Sequence, residues 1–337
     1  MTTLNLSMTR GDDAGLLASG AGIPDGVIGA SSVPLFHQPW WLDAVAPGAW
    51  SAVEIESGGS VVARLPYVVR GPRRMRVLTQ PPLTPFLGPW IAPIEKAKVP
   101  AEIGRQMNLL ADLEAALPKA AAFRQAFSTA VMGVLPFVWA GYRAEVRYTY
   151  RLEDLTSEDG LWEGMSSRAR SEIRKAQGRL EVRTDIGLDR LQAVWAKTFR
   201  RQGLPAPDHA RLERIEEACT PRAARQALFA VDEYDRVHAA VYVVLGGDVA
   251  YYLVGGGDPV LRGSGAASLL LWTAILQMRS RCRVFDFEGS MIAPLEKFFR
   301  SFGGSQTPYL RLSRATTTAA LALRTRETAN RLRRRCS

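Results

Sequence analysis

Three groups of side chains in this sequence have types and spacings that chemistry could use. Asp286 and Glu288 alternate with Phe285 and Phe287. On an extended strand that alternation places both carboxylates on one face. A carboxylate at the end of a core strand can have a raised pKa and take a proton from an ammonium group. Glu288 is the expected base or amine-binding group, with Asp286 behind it; capping the next helix, or pairing with Arg300, is the alternative. The second group, Arg262-Gly263-Ser264-Gly265-Ala266-Ala267, fits the pattern Q/R-x-x-G-x-G/A. Small residues there let backbone N–H groups at a helix start approach a pyrophosphate. Arg262, Gly263, Ser264, Gly265 and Ala267 are therefore the expected donor-phosphate contacts, unless the run is only a helix-start turn. The third group is cationic: Arg168, Arg174 and Lys175, then Lys297 and Arg300. These fit phosphates or an anionic substrate, or else a solvated basic face with surface salt bridges.

The elements that must hold these groups follow from periodicity and punctuation. Residues 36–45 read as a short helix. Residues 50–56 and 60–69 alternate as two strands around the turn Ser57-Gly58-Gly59. Residues 75–78 form a short strand, and the prolines from Pro81 to Pro89 exclude helix or central strand up to Trp90. That stiff run fits a pocket wall, with Trp90 as a substrate contact, or a rigid connector. Residues 101–117 form an amphipathic helix and 147–152 a strand. Helices are expected over 161–177, 188–202 and 208–219, and strands over 228–232, 237–245 and 249–254. A glycine loop at 255–259, a helix over 268–280, a strand over 283–288, a helix over 293–302 and a last strand over 308–312 complete the series. Tyr251 is expected in the core and Tyr252 on a cleft wall. Ser290 is expected to cap the helix after it. His238 lies in a β-run and reads as structural. No His–acid pair accompanies a serine, which argues against a serine nucleophile.

Composition bounds the class. Of 337 residues, 47% are hydrophobic and 23% charged, which excludes a mainly disordered chain, a collagen and a small disulfide scaffold. No apolar run reaches the roughly 18 residues that a membrane-spanning helix needs. The first 26 residues hold one basic residue, Arg10, and no sustained apolar stretch, unlike a secretory signal. Three cysteines without CxxC spacing argue against a zinc site or disulfides and for a cytoplasmic setting. The formal net charge is +10, and residues 311–337 hold eight arginines against one glutamate. Such a chain attracts polyanions; a solvated tail is the alternative.

The strand–loop–helix–strand–helix order over 249–312 is the core of the GNAT acyltransferase fold. The resemblance extends further. Phe285-Asp286-Phe287-Glu288-Gly289-Ser290-Met291, Glu296 to Gly304, Pro308-Tyr309, Gly257-Asp258-Pro259, Ser264-Gly265-Ala266 before Leu269 to Trp272, Gln80 to Trp90, and Arg168 with Arg174-Lys175-Ala176 carry it. Together they resemble GNAT-superfamily acyltransferases of the FemAB/FemX-like group, over roughly residues 36–314. The resemblance implies an α/β fold with mixed sheets, in two GNAT-like halves with a cleft between them. These are an N-terminal domain over 1–150 and a C-terminal GNAT domain over 151–315, followed by a basic tail over 316–337. It implies transfer of an acyl or aminoacyl group to an amine, no metal and no permanently bound cofactor. Fem-type members take the group from aminoacyl-tRNA; other GNAT members take it from acyl-CoA. GNAT enzymes often place a tyrosine four residues before a glycine to protonate the departing thiolate. The matching residue here is Phe299, four before Gly303. Tyr309 or Tyr252 could substitute, with Tyr252 joining Glu288 and Asp286 in the expected catalytic set. Otherwise the leaving group needs no such acid, as when it is a tRNA ribose hydroxyl beside a second hydroxyl, which slightly favours tRNA.

Three readings follow: an amide-forming transferase that uses a tRNA ester and a small-molecule or cell-wall-precursor amine, an acyl-CoA-dependent N-acetyltransferase, and a non-catalytic RNA- or partner-binding protein on a GNAT scaffold.

Overall fold

Strands form where β-branched and aromatic residues alternate, and helices where leucines recur at three- and four-residue spacing. The computed structural model describes residues 5–9, 33–93, 98–131, 133–289 and 291–319. In chain order the elements are β1 (Asn5–Thr9), α1 (Pro39–Val45), β2 (Trp50–Ser57), β3 (Ser60–Arg70), β4 (Val77–Thr79), β5 (Trp90–Ile91), α2 (Val99–Ala115), β6 (Ala122–Ala126), α3 (Leu135–Trp139), β7 (Arg143–Leu152), α4 (Glu158–Gly164), α5 (Ser167–Gln177), β8 (Glu181–Arg183), α6 (Leu188–Arg201), α7 (His209–Cys219), β9 (Arg225–Val231), β10 (Val237–Gly246), β11 (Val249–Gly257), α8 (Ala266–Met278), β12 (Val284–Asp286), α9 (Ala293–Arg300) and β13 (Ser305–Ala315). This is the mixed α/β architecture expected. The described residues form two compact units. One holds those up to Arg147 together with those from Pro308 onward; the other holds Tyr148–Thr307. Residues 308–315, expected in the C-terminal domain, belong to the first unit, where Arg311 to Ala315 pair with β6.

In the first unit β2, β3 and β4 form an antiparallel series, and β4 then runs parallel to β6, with Val77 to Thr79 opposite Ala122 to Arg124. Helix α2 makes that crossover and buries Leu109, Leu110 and Leu113. The proline-rich run is fixed from several sides. Trp41 Nε1 donates to Thr84 Oγ1 at 3.1 Å. Gln80 donates to the Thr84 carbonyl at 2.6 Å and accepts from Ala126 N–H. Gln125 accepts from Gly88 N–H at 3.1 Å and donates to the Pro66 carbonyl at 2.8 Å. Both glutamines therefore sit where β4 and β6 stop pairing, and they tie the loop down there. Trp90 is buried in this unit against Val33 and Val61, and its backbone pairs with Arg64.

In the second unit β9, β10 and β11 form the antiparallel series, β12 joins β11 in parallel, and β7 joins β12 antiparallel. Helix α8 makes the crossover. It buries Leu269, Leu270, Leu271, Trp272, Ala274 and Ile275, as a helix apolar on nearly every side must. The single helical region expected over 161–177 is two helices. Ser157 accepts from Gly160 N–H and Ser166 from Ala169 N–H, and each cap starts a new helix. The expected glycine loop at 255–257 is strand, since Gly255, Gly256 and Gly257 pair with Val241, Ala240 and Ala239. Helix α6 explains the glycine at 256: a Cβ there would lie 2.9 Å from Val194 and Trp195 backbone atoms.

Gly256→Ala must push α6 off β11, a cost of about 1–3 kcal/mol. Gly104→Ala, in open space within α2, should instead stabilise by roughly 0.5–1 kcal/mol. Thermal unfolding of the two variants reads the opposite signs.

Candidate active site

The second unit has a gap in its sheet. Strands β11 and β12 pair only from Val249 to Tyr251 against Val284 to Asp286, yet β11 continues to Gly257. A bulge follows at once. Tyr242 faces Val254 and Val243 faces Tyr252, which leaves Leu253 as the extra residue and twists β11 locally. In open α/β sheets, ligands bind beyond the carboxyl ends of parallel strands. The residues just past this short pairing are Tyr252 on β11 and Phe287, Glu288 and Gly289 after β12.

Glu288 does not follow the strand alternation expected of it. Strand β12 ends at Asp286, and both Glu288 and Gly289 have φ of +57°. A left-handed non-glycine residue costs on the order of 1–3 kcal/mol and persists only when its surroundings hold it. Three contacts hold this one. Phe287 N–H donates to the Tyr150 carbonyl at 3.0 Å. Glu288 N–H donates to Asp286 Oδ1 at 2.8 Å. Gly289 lies so close to the Tyr148 carbonyl and Thr149 Cα that no Cβ fits. Asp286 is 2% exposed. Thr149 Oγ1 donates to its Oδ1 at 2.6 Å, and Arg151 Nε lies 3.5 Å from its Oδ2. Burial pushes the Asp286 carboxyl up to about 6, against the opposing pull of Thr149, the Glu288 amide and Arg151.

Glu288 as a residue keeps some open surface, but its Oε1 is enclosed and has no hydrogen-bond partner among the described residues. Burial, and then the charge of Asp286, raises its carboxyl well above the usual range. It does not pair with Arg300, whose Nε is 2.8 Å from Glu296 Oε1; Glu296 also accepts from the Tyr150 hydroxyl at 2.6 Å. Tyr252 packs its ring 5.7 Å from Phe299, which stacks on Phe287 at 5.5 Å. Its hydroxyl lies over Gly255. Burial and Glu288 raise the Tyr252 phenol, and burial and Asp286 raise that of Tyr251, so both stay protonated at neutral pH.

The glycine-pattern loop opens α8. Arg262–Ser264 is one 3₁₀ turn, and Gly265 follows with φ of +79°. A Cβ on Gly265 would lie 2.5 Å from the Glu172 carbonyl and 3.3 Å from Ala176 Cβ, so this glycine serves the packing of α8 on α5. Gly263 faces open space. Ser264 Oγ accepts from Ala266 N–H at 3.4 Å, and Ala267 is exposed in the first turn. Arg262 is exposed, and its charge, after burial, lowers the pKa of Arg201 at the end of α6. Helix α5 carries Arg168, paired with Glu172 at 3.1 Å, exposed Lys175, and Arg174, whose guanidinium lies 5.3 Å over the Trp162 ring. The two cationic groups that the sequence set apart thus lie on packed elements. Glu172 of α5 also accepts from the hydroxyl of Ser268, in the first turn of α8, at 2.9 Å. Lys297 is exposed on α9. His238 Nε2 is 3.0 Å from Asp232 Oδ2, a contact within one hairpin. Tyr309, offered as a substitute acid, packs on Phe86 in the first unit. Ser290 as a cap and the basic tail beyond residue 319 lie outside the described residues. Thr149, Arg151 and Arg201 carry no sequence signal, because no motif or local spacing links them to the residues they meet.

Among the described residues, no group of three or more His, Cys, Asp or Glu could hold a metal ion, and no helix is long and apolar enough to cross a membrane.

Gly265→Ala should destabilise by about 1–3 kcal/mol through strain and overpacking, and Gly263→Ala should change stability by less than about 0.5 kcal/mol. Chemical denaturation of both variants checks the packing account of the loop.

Residues 165–295 match the family model of the acetyltransferase (GNAT) domain. No curated protein matches the chain in sequence. Among solved structures, FemX is similar with a TM-score of 0.63 at 12% identity, over 86% of this chain and 94% of that one. A tandem GNAT protein from the clavulanic acid biosynthesis pathway is similar with a TM-score of 0.50 at 12% identity, over 93% of this chain and 98% of that one. At these identities the likeness is one of fold.

Proposed function

We propose that this chain, whose residues 165–295 match the acetyltransferase (GNAT) domain, is an N-acyltransferase that joins an acyl or aminoacyl group to an amine at the gap beyond β11 and β12, with Glu288 as the base. One observation carries the assignment. The Glu288 carboxyl has an enclosed, unpartnered oxygen in the unit's unpaired strand gap. An ammonium group entering there supplies the missing hydrogen-bond donor. Transfer of its proton to Glu288 leaves a neutral amine, whose lone pair attacks the acyl carbonyl. The tetrahedral oxyanion then needs donors, a role for N–H groups of β11 past Tyr251 that are not taken up by β10 or by Thr198. Collapse breaks the bond to the leaving group, which takes a proton. Because the acyl group arrives activated, holding the two reactants together supplies much of the rate.

Glu288 must be ionised to accept the proton. Its pKa is raised, so turnover should climb with pH through a limb above the ordinary carboxylate range. Glu288→Gln should lower kcat by roughly 10²–10⁴-fold and remove that limb. Wild-type turnover in Glu288→Gln, measured across pH, would discard the base assignment.

For the donor, the Fem-type resemblance and the net positive charge support an aminoacyl- or acyl-tRNA ester. Its phosphates would meet Arg262, Gly263, Ser264, Gly265 and Ala267 at the start of α8, and Arg168, Arg174 and Lys175 on α5. Lys297 and Arg300 would face an anionic acceptor, in the class of small-molecule or cell-wall-precursor amines. Both tRNA and acyl-CoA are cytoplasmic, which is where we place the reaction. One observation favours acyl-CoA as a second reading. Phe299, which cannot protonate a thiolate, has the Tyr252 ring against it, so the acid that Phe299 lacks is available next to it. Calorimetry with acetyl-CoA and with charged tRNA separates the two. Salt-sensitive binding of charged tRNA alone supports the ester; micromolar binding of acetyl-CoA supports the thioester. In the thioester case Tyr252→Phe should lower kcat by about 10²-fold with little change in KM.

A further inference from the structure

We propose that Thr149 and Arg151, neighbours on one face of β7, are positioning residues for Glu288. They hold the Asp286 carboxylate so that it fixes the Glu288 backbone. The inference rests on the reading of Glu288 as the base, and it assigns the part of the site that lies far away in sequence.

The register makes the arrangement specific. Arg151 is the direct partner of Asp286 across β7 and β12, and Leu152 that of Phe285. Residues two apart on a strand share a face, so Thr149 projects beside Arg151 toward the segment after β12. There Asp286 Oδ1 takes two hydrogen bonds at once, from Thr149 Oγ1 at 2.6 Å and from Glu288 N–H at 2.8 Å. Arg151 Nε stands 3.5 Å from the other oxygen. A carboxylate that accepts the amide two residues on is the closure of an Asx turn. Here it holds a glutamate, not a glycine, in the left-handed region, and so sets the direction of the Glu288 side chain. Thr149 is wholly buried. Valine has nearly the same shape, so packing alone does not require the hydroxyl. The hydroxyl is what ties β7 to the turn.

Charge couples the same groups. Asp286 is faced by Thr149 and Arg151 of β7, by Glu153 just after it, by Tyr251 of β11 and by Glu288. The Thr149 hydroxyl and Arg151 both favour the ionised form of Asp286, and that charge helps raise Glu288. Removing either donor raises Asp286 further, weakens its negative charge near neutral pH and so lowers Glu288.

The test is the pH profile of kcat for the full chain, with the acyl donor and amine on which it turns over. Thr149→Val should lower the plateau by roughly ten- to a hundred-fold and move the acid limb to lower pH. Thr149→Ser should restore both. Arg151→Gln should move the limb in the same direction, and it carries the test if Thr149→Val does not fold. A merely structural role would lower the melting temperature and leave the limb in place. An unmoved limb in the folded variants, or a Thr149→Ser variant that behaves like Thr149→Val, overturns the inference. Glu288→Gln run alongside separates the two failures. If it is inactive while the Thr149 and Arg151 limbs stay put, only the positioning role is lost. If it turns over like the wild type, the base assignment falls as well.

Discussion

The candidate site depends on how short one strand pairing is. Strands β11 and β12 share only the register Val249–Tyr251 with Val284–Asp286. If β12 continued, Glu288 would be an ordinary strand residue and its side chain would follow the pleat. Instead the chain turns left-handed for two residues. The Leu253 bulge bends β11 at the same level. The gap that results is lined by backbone and by a few enclosed polar side chains, and Glu288 is directed by Asp286 in place of a sheet ladder.

The first unit has the same parallel pairing, between β4 and β6, and shows what happens without a carboxylate there. Arg124 stands opposite Thr79 where the second unit has Asp286 opposite Tyr251. Gln80 and Gln125 take up the backbone groups past the pairing and tie down the proline-rich loop. Amide side chains both donate and accept, so they can satisfy a strand end and a loop together without a buried charge. The first unit thus ties a loop down where the second leaves a carboxyl oxygen unpaired.

Leaving it unpaired is costly. A buried carboxylate without a full set of donors holds a proton more tightly than one in water, and both Asp286 and Glu288 do. A positive φ at a glutamate adds strain. Hydrophobic packing around the site offsets these costs. Phe285, Phe287, Phe299 and Phe302 are buried together with α8. The phenylalanines that alternate with the acids are the packing that keeps the acids in place.

By itself, the sequence determined the mixed α/β class and most of the element order. Periodicity and punctuation are local properties: the alternation of 237–245, the apolar helix from Leu269 onward, and serines and glycines at element ends can be read without a partner. The acids beside Phe285 and Phe287 were legible for the same reason. The left-handed turn at Glu288 was not, since an alternating run predicts strand and only the hydrogen bond from Glu288 N–H to the Asp286 carboxylate, with Gly289 pressed on β7, ends it. The double use of Gly265 was also hidden. A glycine before a helix reads as a phosphate turn, while the close approach of α5 that requires it comes from a segment about ninety residues earlier. Thr149 and Arg151 carried no signal at all, because a threonine and an arginine on an alternating strand are ordinary residues until β12 is laid beside them. Tertiary structure alone decided which strand meets which. Hydrogen-bond partners and burial, which set every pKa in the site, depend on atoms distant in the chain.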